Sequence, residues 1–436
     1  MKKIKRLNHS LLAIVLCFLL LTLTGAKRSQ SCKKKLLPLT SIHIVDRNGF
    51  SETISNKERL NQFQNVNFLS SQPYQKVLRI YARDSKGNLR SVVTTYHENG
   101  NPKQFLEILN ARAHGNYYEW HENGKMAVMS RIIGGTADVT NMAEKTWLFD
   151  GPSYAWDEEE HPIAEIYYSQ GSLEGMTTYF HPNGVIWKKI PFYKNQIEGT
   201  VEIYRSNGEI LQQSSYCQGQ KQGSHVRYWS CEQVASQEEY CNGKLLSGQY
   251  FDRQGSLVAE VKEGSGFRAI FGKEHIQELQ EFADGSLEGE VKVFNQEGCI
   301  KRIYHVRNGI KHGEEIEYYD RFFASSAPAQ PKLSFYWYDG KVQGMVKTWY
   351  ANGVLESQKE MANNVKNGVL SAWYRDGNLM MIEEYNNDKL VRGDYFKKGE
   401  RIAVSQVSEG KGTVSIFDAD GHFVQKILYV NGKPEM

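Results

Sequence analysis

Two pairs of metal-ligating residue types occur at matching places in the chain. His97-Glu98 and His121-Glu122 each directly precede an Asn-Gly dipeptide. Imidazole and carboxylate groups at such positions would suit a metal ion. However, Pro182 and Ala351 replace the glutamate before other Asn-Gly dipeptides of the chain. The favoured interpretation is therefore that these polar residues line turns, and we predict no metal site.

Two further segments have the residue types of ligand-binding loops. The run Asp157-Glu158-Glu159-Glu160-His161 would offer oxygen ligands to calcium, but it lacks the alternating ligands and the glycine of an established calcium loop. A solvated acidic loop is the favoured interpretation. Gly264-Ser265-Gly266 lacks the third glycine and the following helix of a nucleotide site, so it predicts a bulged strand connection and no cofactor.

Sequence motifs of common enzymes are missing from the chain. It has no Gly-x-Ser-x-Gly elbow, P-loop or His-Glu-x-x-His motif. The stretches that the repeats described below leave free are each under about 50 residues, which is less than an independent catalytic domain usually needs. We expect a protein that is not an enzyme; an enzyme is the third and least favoured hypothesis.

A ladder of glycines and aromatics recurs about every 24 residues from near Tyr96 almost to the C-terminus. Each of these glycines is followed five residues later by an aromatic side chain and nine residues later by another glycine. The ladder glycines are Gly115, Gly175, Gly199, Gly289, Gly344 and Gly368. Self-similarity at this short period indicates stacked supersecondary units, each of which contacts its neighbours.

The segment from Gly199 to Gly223 shows the repeating unit. Two short β-prone runs flank Asn207-Gly208, a dipeptide that favours a hairpin turn of the primed type with positive φ at both central residues. A second turn pairs glycines four residues apart, as in Gly219 and Gly223. Two strands and two turns account for the period. We predict an all-β fold, an elongated antiparallel single-layer array of β-hairpins that forms a twisted ribbon.

The aromatics of the ladder form a candidate binding stripe, because residues at equivalent positions of successive hairpins lie side by side. Such a row would grip an extended peptide, a glycan or lipid headgroups. The alternative is that cross-strand aromatic pairs only stabilise the sheet, as in a second stripe at Tyr168, Tyr216, Phe282 and Trp337. The candidate binding stripe comprises Trp120, Phe180, Tyr204, Tyr228, Phe294, Tyr318, Trp349 and Trp373.

Some parts of the chain depart from the ladder. Residues 27–75 carry only a weak version of it, whereas residues 76–435 contain the repeats. Inserts near 134–162 and 321–332 are expected to be surface protrusions that select a partner. Cys217, Cys231 and Cys241 fall in adjacent strands, so one disulfide is conceivable in an oxidising compartment, while small semi-buried apolar residues are the favoured interpretation.

The N-terminus has the pattern of an export signal. Residues 1–26 combine a basic start, the apolar run from Leu11 to Leu23, and the small residues Thr24-Gly25-Ala26. We predict cleavage and export to the periplasm, the envelope or the medium. The alternative is an uncleaved membrane anchor, which the basic residues that follow directly would favour.

The doubled turn pattern resembles the bacterial variant of the MORN repeat over roughly residues 75–435. The segments that carry the resemblance are Tyr96-His97-Glu98-Asn99-Gly100, Trp120-His121-Glu122-Asn123-Gly124, Trp349-Tyr350-Ala351-Asn352-Gly353 and Val306-Arg307-Asn308-Gly309-Ile310-Lys311-His312-Gly313. The resemblance implies an antiparallel β-ribbon with protein or membrane-surface contacts. Many bacterial members carry the label of a toxin–antitoxin antitoxin. Ser230-Cys231-Glu232 departs from the pattern because it lacks the turn glycine.

These observations predict a non-catalytic exported repeat protein that binds or scaffolds a protein partner. A membrane surface or a glycan is a further possible partner. The net charge of only +3 gives no reason to expect nucleic acid. The alternative function is an antitoxin-like inhibitor that neutralises a partner toxin.

Overall fold

The computed structural model describes residues 38–320 and 328–435. The predicted signal segment and residues 321–327 of the second insert lie outside these ranges. The chain divides into two compact units, of which the first ends at Phe149 and the second begins at Asp150. Strands make up 64% and helices 3% of the structure, which confirms the prediction of an all-β antiparallel hairpin meander. None of the described helices is long and apolar enough to cross a membrane.

From residue 38 onward, the first unit contains eight strands, each antiparallel to its partner, and two short helices. Strand β1 pairs with β2 and β3, and the strands from β3 to β8 then pair in chain order. The elements are β1 (Leu39–Asp46), β2 (Ser51–Ile54), α1 (Lys57–Phe63), β3 (Gln75–Arg83), β4 (Leu89–Tyr96), β5 (Pro102–Leu109), β6 (Arg112–Trp120), β7 (Met126–Gly134), α2 (Asn141–Glu144) and β8 (Leu148–Phe149).

The insert that begins at residue 134 does not simply protrude from the first unit. Helix α2 begins where Thr140 accepts a hydrogen bond from the Ala143 amide. Trp147 follows it and is only 6% exposed; its ring lies edge-on against Tyr117, and its indole N–H donates to the Thr136 carbonyl. The expectation of a surface protrusion is therefore wrong for this part of the insert, because a buried tryptophan anchors it in the core.

The second unit is a meander in which consecutive strands pair antiparallel. Several hairpins begin with a two-residue strand that shares its partner with the next strand, and β35, β36 and β37 form a separate three-stranded sheet. The strands are β9 (Gly151–Trp156), β10 (Pro162–Ser169), β11 (Ser172–Leu173), β12 (Gly175–Phe180), β13 (Ile186–Tyr193), β14 (Gln196–Ile197), β15 (Gly199–Tyr204), β16 (Ile210–Cys217), β17 (Gln220–Ser230), β18 (Gln233–Cys241), β19 (Lys244–Phe251), β20 (Leu257–Lys262), β21 (Ser265–Phe271), β22 (Ile276–Ala283), β23 (Ser286–Phe294), β24 (Ile300–Arg307), β25 (Ile310–Lys311), β26 (Gly313–Tyr318), β27 (Pro331–Tyr338), β28 (Lys341–Val342), β29 (Gly344–Trp349), β30 (Leu355–Ala362), β31 (Val365–Trp373), β32 (Leu379–Asn386), β33 (Lys389–Phe396), β34 (Ala403–Val407), β35 (Gly412–Phe417), β36 (Phe423–Val430) and β37 (Lys433–Pro434).

The primed turn of each repeat lies at the opposite end of the hairpin from the Asn-Gly dipeptide where it was expected. At the Asn207-Gly208 turn only the glycine has a positive φ, of 88°. The ladder shifts register beside this turn, as in a longer hairpin loop that ends in a glycine bulge. The primed turns lie at the other end of the hairpin, where Gln218 and Gly219 have φ of 50° and 78°. The prediction of a primed turn at Asn207-Gly208 is wrong, because a glycine bulge needs only one residue with positive φ.

The second aromatic stripe is explained by the strand glycines. Each of its four members lies directly across the ladder from a glycine, as Tyr216 lies across from Gly199 and Trp337 from Gly313. Tyr168 and Phe282 lie across from Gly151 and Gly266. Since glycine has no side chain, the neighbouring ring gains room to lie over the backbone, and this arrangement stabilises the sheet.

The buried column of the repeats lies two residues after the ladder glycines. Its members are at most 8% exposed, and they are Tyr117, Thr177, Val201, His225, Val291, Glu315, Val346, Leu370 and Val414. Three of them, Thr177, His225 and Glu315, are polar. The core of the meander therefore includes polar groups that need partners inside the protein.

A longer repeat is present inside the second unit. Residues 199–286 and 344–433, called here the first and second copy, have the same strands and turns about 145 residues apart. In the first copy the Gly264 amide donates to the Leu246 carbonyl, the Gly285 amide to the Gly264 carbonyl, and the Leu245 amide to the Gly285 carbonyl. In the second copy the Gly410 amide donates to the Val391 carbonyl, the Gly432 amide to the Gly410 carbonyl, and the Leu390 amide to the Gly432 carbonyl. A Cβ at Gly264 would lie 2.6 Å from the Gly285 nitrogen, and a Cβ at Gly410 would lie 2.6 Å from the Gly432 nitrogen, so both positions require glycine.

Candidate functional site: a basic groove and a buried carboxylate

All eight residues of the candidate binding stripe are half-buried. Seven of them end their strands, whereas Tyr228 lies two residues before the end of β17. Seven lie across from the residue six positions later, as Tyr204 lies across from Ile210 and Trp373 from Leu379, whereas Tyr318 lies across from Pro331. The stripe is neither a fully exposed surface nor the core. Whether its members bind a partner stays a prediction.

The side chain that follows a stripe aromatic bonds to the main chain of the next repeat. His97 Nε2 lies 2.7 Å from the Trp120 carbonyl oxygen, and the Tyr350 hydroxyl donates to the Trp373 carbonyl at 2.9 Å. Arg205 donates to the Tyr228 carbonyl at 2.5 Å. These contacts are called here the carbonyl links. His97 therefore has a main-chain partner, in agreement with its interpretation as a turn-lining residue.

Two stripe residues, Tyr228 and Phe294, border a groove of about 1090 Å³ in the second unit. Three arginines and a lysine line the groove together with further aromatic side chains. We call it the basic groove and define it by Arg205, Arg227, Tyr228, Trp229, Arg253, Phe271, Lys273 and Phe294. Glu274 is an exposed acidic residue at the same groove.

Arg205 and Arg253 follow the ends of β15 and β19, whereas Arg227 lies within β17, two residues before Trp229. All four residues line the groove. Arg205 donates to the carbonyls of Tyr228 and Trp229. Arg253 lies over the Trp229 ring, 5.1 Å from its centroid, and donates to the Lys273 carbonyl. The Trp229 ring also contacts Phe271 edge-on at 4.9 Å, and its N–H donates to the Phe251 carbonyl. Packing therefore fixes the tryptophan that holds Arg253 in place.

Positive charge in the groove is only partly neutralised. Arg205 lies 3.8 Å from Glu209. In the part of the chain that the structure describes, Arg227 and Arg253 form no ion pair. Burial and the neighbouring Arg205 guanidinium lower the pKa of Arg227, and its buried Nε has no hydrogen-bond partner in this structure. An anionic group that enters the groove would meet two unneutralised guanidinium groups.

Next to the groove, the curled sheet encloses a buried carboxylate, Glu238, that is 2% exposed. The hydroxyls of Tyr240 and Tyr250 each donate to it at 2.8 Å. Arg268 donates to both carboxylate oxygens, with Nε at 2.7 Å. Burial alone would raise the pKa of Glu238, but the hydrogen bonds and charge of Arg268, with His225 and Tyr250, outweigh it and lower the pKa to about 2. Glu238 is therefore ionised and paired inside the protein.

Ser214, His225 and Glu238 stand in the order of a hydrolytic triad. The Ser214 hydroxyl lies 2.6 Å from His225 Nδ1, and Glu238 lies 3.7 Å from His225 Nε2. The three residues are 1%, 7% and 2% exposed, so a substrate has no access to the hydroxyl in this structure. Burial, with Lys221 close by, lowers the pKa of His225 to about 4. The arrangement is that of an internal polar network.

The comparisons with known proteins agree with the repeat geometry. The family model described as MORN repeat variant matches residues 113–130, 173–195 and 342–363. Each match contains a ladder glycine and the Asn-Gly turn that ends nine residues after it, at Gly115 and Gly124, Gly175 and Gly184, and Gly344 and Gly353. The chain therefore contains MORN repeats of the variant type at these three places. Repeats of this kind indicate a binding or scaffold role.

Comparison with curated proteins and solved structures adds no functional argument. None of the curated proteins matches the chain. Among solved structures, the chain is similar to the Tc holotoxin pore of Photorhabdus luminescens, at 10% identity and a TM-score of 0.14, over 88% of this chain and 23% of that chain. A porin-like protein from Bacteroides uniformis matches at 9% identity and a TM-score of 0.14, over 55% of this chain and 93% of its own. The MORN-repeat chain thus spans under a quarter of the length of the toxin chain.

The acidic run between two MORN repeats is a turn that satisfies its own polar groups. Asp157, Glu159 and His161 bring ligand atoms within 4.8 Å of one another. Asp157 accepts hydrogen bonds from the amides of Glu159 and His161, and its second oxygen lies 3.1 Å from His161 Nδ1. Asp418 and His422 form the same bonds in another repeat. This recurrence identifies the cluster as turn geometry.

The cysteines in the described MORN repeats are free thiols. Cys217 and Cys231 are exposed, whereas Cys241 and Cys299 are half-buried. The alternative of a disulfide between adjacent strands is not realised in this structure. The interpretation as semi-buried apolar residues holds for Cys241 and is wrong for Cys217 and Cys231.

The second copy keeps the carbonyl links of the MORN array but not the groove arginines. Tyr350 occupies the place of Arg205, and its hydroxyl bonds to the equivalent carbonyl. Ala372 occupies the place of Arg227. Tyr374 replaces Trp229 and donates to the Phe396 carbonyl. The same fold therefore forms without these two arginines. The presence of arginines in one copy and their replacement in the other is the sequence signal for the groove.

Proposed function

We propose that this protein is an exported, non-catalytic repeat protein that binds or scaffolds a protein partner at the bacterial envelope or outside the cell. The basic groove is the proposed contact surface. The observation that carries the proposal is the convergence of three arginines around Trp229 at a place where the second copy has Tyr350 and Ala372. Side chains that a fold does not need, gathered in a groove, are typical of a binding site.

Tyrosine and arginine supply much of the energy of protein interfaces. Tyr228 and the groove arginines therefore suit a protein partner, and a half-buried tyrosine at the rim is a suitable position for a crosslinker. The alternative of an inhibitor that neutralises a toxin would use the same surface, and no separate feature of the described residues favours it.

A site-specific crosslinker tests the contact surface. A photoreactive amino acid is placed at Tyr228 in the full chain, and a matched variant carries it at Trp373, the equivalent position of the second copy. We expect a discrete protein adduct from position 228 and none from position 373 after irradiation of the native cells. Equal adducts from both positions, or none, would contradict the groove as the contact surface.

The location is tested separately on the unmodified protein. Cells that express it are fractionated, and the mature N-terminus is determined. We expect a chain that begins near residue 27 and that leaves the cytoplasm, as the sequence pattern of the first 26 residues predicts. A cytoplasmic chain with an intact Met1 would overturn the export proposal and would leave the binding role to be decided by the crosslinks.

A further inference from the structure

The guanidinium groups of the basic groove have donors left over after their internal bonds. An arginine carries five N–H donors. Arg253 uses one NH2 group on the Lys273 carbonyl at 2.7 Å, and Arg227 makes one long contact, of 3.4 Å, to the Gly272 carbonyl. Arg227 Nε is also buried without a partner. These donors point to a ligand that accepts several hydrogen bonds and carries negative charge.

We infer that the basic groove binds an extended, carboxylate-rich segment of the partner protein; this inference rests on the proposed function. Carboxylates match the planar fork of a guanidinium, and arginines from separate hairpins suit acids spread along a chain.

The Trp229 ring of the groove is not open for stacking with a sugar or a base. Stacking of a sugar or a base needs an open aromatic face. The Trp229 ring is already occupied by Arg253 at 5.1 Å and by Phe271 at 4.9 Å. Trp229 thus holds Arg253 in place, and the guanidinium group of Arg253 is the part that a ligand in the groove would contact.

The second copy shows that these charges are separable from folding. Its cations at the corresponding surface are paired with acids: Arg375 lies 3.2 Å from Asp420, and Lys398 lies 3.4 Å from Asp376. Lys398 occupies the place of Arg253. An acidic segment therefore has unneutralised cations to bind in the first copy, whereas in the second copy it would have to displace carboxylates that are already in place.

The test uses the purified full chain and a fluorescein-labelled peptide of about eight residues in which glutamate alternates with glycine, a length that spans the groove when extended. Fluorescence anisotropy reports binding. We expect wild-type protein to bind it and the affinity to fall as salt rises from about 0.1 M to about 1 M, because the screening length shortens from about 10 Å to about 3 Å. A peptide with glutamine in place of glutamate is expected not to bind.

The decisive variant combines Arg227→Ala, which copies Ala372 of the second copy, with Arg253→Gln. We expect this variant to bind the glutamate peptide at least about tenfold more weakly, a loss of about 1.4 kcal/mol, because it lacks the charged hydrogen bonds of two guanidinium groups. The control combines Arg375→Gln with Lys398→Gln and should bind as wild type does. Urea unfolding of both variants shows that they fold.

The inference would be overturned by no binding of the glutamate peptide to wild type, by equal binding of it to the groove variant and wild type, by equal binding of the glutamine peptide, or by binding only to phosphatidylglycerol vesicles in a groove-dependent manner. If the peptide fails to bind while the Tyr228 crosslinker still captures a protein, the carboxylate inference is wrong and the proposed function stands. If the peptide binds and no protein is captured, the proposed function fails instead.

Discussion

Residues 199–286 and 344–433 have the same hairpins but different charges inside them. In the first copy the buried Glu238 contacts two tyrosines, Arg268 and His225. In the second copy the equivalent Glu383 accepts hydrogen bonds from the hydroxyls of Tyr385 and Tyr395. Leu370 and Val414 take the places of His225 and Arg268 there.

The difference separates what the fold needs from what it tolerates. A buried carboxylate between two tyrosines is common to both copies, and so is the lysine over a tyrosine ring, at 4.5 Å for Lys221 on Tyr240 and 4.4 Å for Lys366 on Tyr385. Arg268 and His225 are additions of the first copy. Cations inside a protein give little net stability, but their loss leaves a partner uncompensated.

The largest expected effect follows from Arg268→Met. The variant leaves Glu238, 2% exposed, without its cation, and removal of one partner of a buried ion pair costs about 3–5 kcal/mol. Urea unfolding should show this loss. Adding Glu238→Gln should restore part of it, because the tyrosine hydroxyls can still donate to an amide oxygen. A single variant as stable as the double variant would contradict the importance of the pair.

Glycines shared by the two copies should matter equally in both. A Cβ at Gly248 would lie 2.5 Å from the Tyr250 hydroxyl oxygen, and one at Gly393 would lie 2.9 Å from the Tyr395 ring. Each tyrosine is fixed by its buried glutamate, so Gly248→Ala and Gly393→Ala should each lower the free energy of unfolding by about 1–3 kcal/mol. The exposed neighbour substitution Ser247→Ala is the control. A loss at only one glycine would show that the copies pack differently.

His225→Leu should make the first copy resemble the second in its response to acid. Because burial lowers the pKa of His225 from 6.5 to about 4, the unfolded chain takes up a proton first, and stability falls as the pH drops from about 6.5 to about 4. The variant should lose this part of the pH dependence, measured as the urea midpoint at several pH values.

Glu238 acts in a lower pH window. Its pKa is lowered from 4.5 to about 2, so its contribution to stability is present above about 4.5 and is lost as the pH falls through about 2. Measurements above pH 4.5 therefore isolate the histidine. The exposed-residue variant His114→Leu serves as the control and should keep the wild-type profile; an unchanged profile in His225→Leu would contradict the assignment.

The smallest effect is expected at the surface ion pair of the second copy. Arg375 and Asp420 have side chains that are 55% and 49% exposed, and exposed pairs contribute little because solvent screens them. Arg375→Ala should change the free energy of unfolding by at most about 0.5 kcal/mol. A larger loss would mean that these charges support the fold, and the contrast with the groove arginines would weaken.

The glycine ladder was enough to predict strands, hairpins and their order, because positive φ and missing side chains leave a strong trace in sequence. The turn type at Asn207-Gly208 was not predictable from the dipeptide alone, since the same residues fit a glycine bulge. The buried column was missed because His225 and Glu315 at that position look like surface residues. The partners of His225 lie directly across from it on the two neighbouring strands, at Ser214 and Glu238.

The basic groove was equally hidden from sequence. Arg205, Arg227 and Arg253 are separated by more than twenty residues each, and the folded hairpins bring all three to the lining of one groove. No local pattern marks them. When the chain is aligned with itself at an offset of 145 residues, Arg205 aligns with Tyr350 and Arg227 with Ala372. This difference is the sequence signal for the groove.

The carbonyl links explain how such an array tolerates change. Histidine, arginine and tyrosine all serve as the linking side chain, at His97, Arg205 and Tyr350. The acceptor in every case is a peptide oxygen, which no substitution can remove. The carbonyl acceptor of each link is thus unaffected by substitutions. The donor side chain can therefore differ between repeats, provided that it reaches the carbonyl. Repeats linked in this way keep their spacing while their amino-acid sequences diverge.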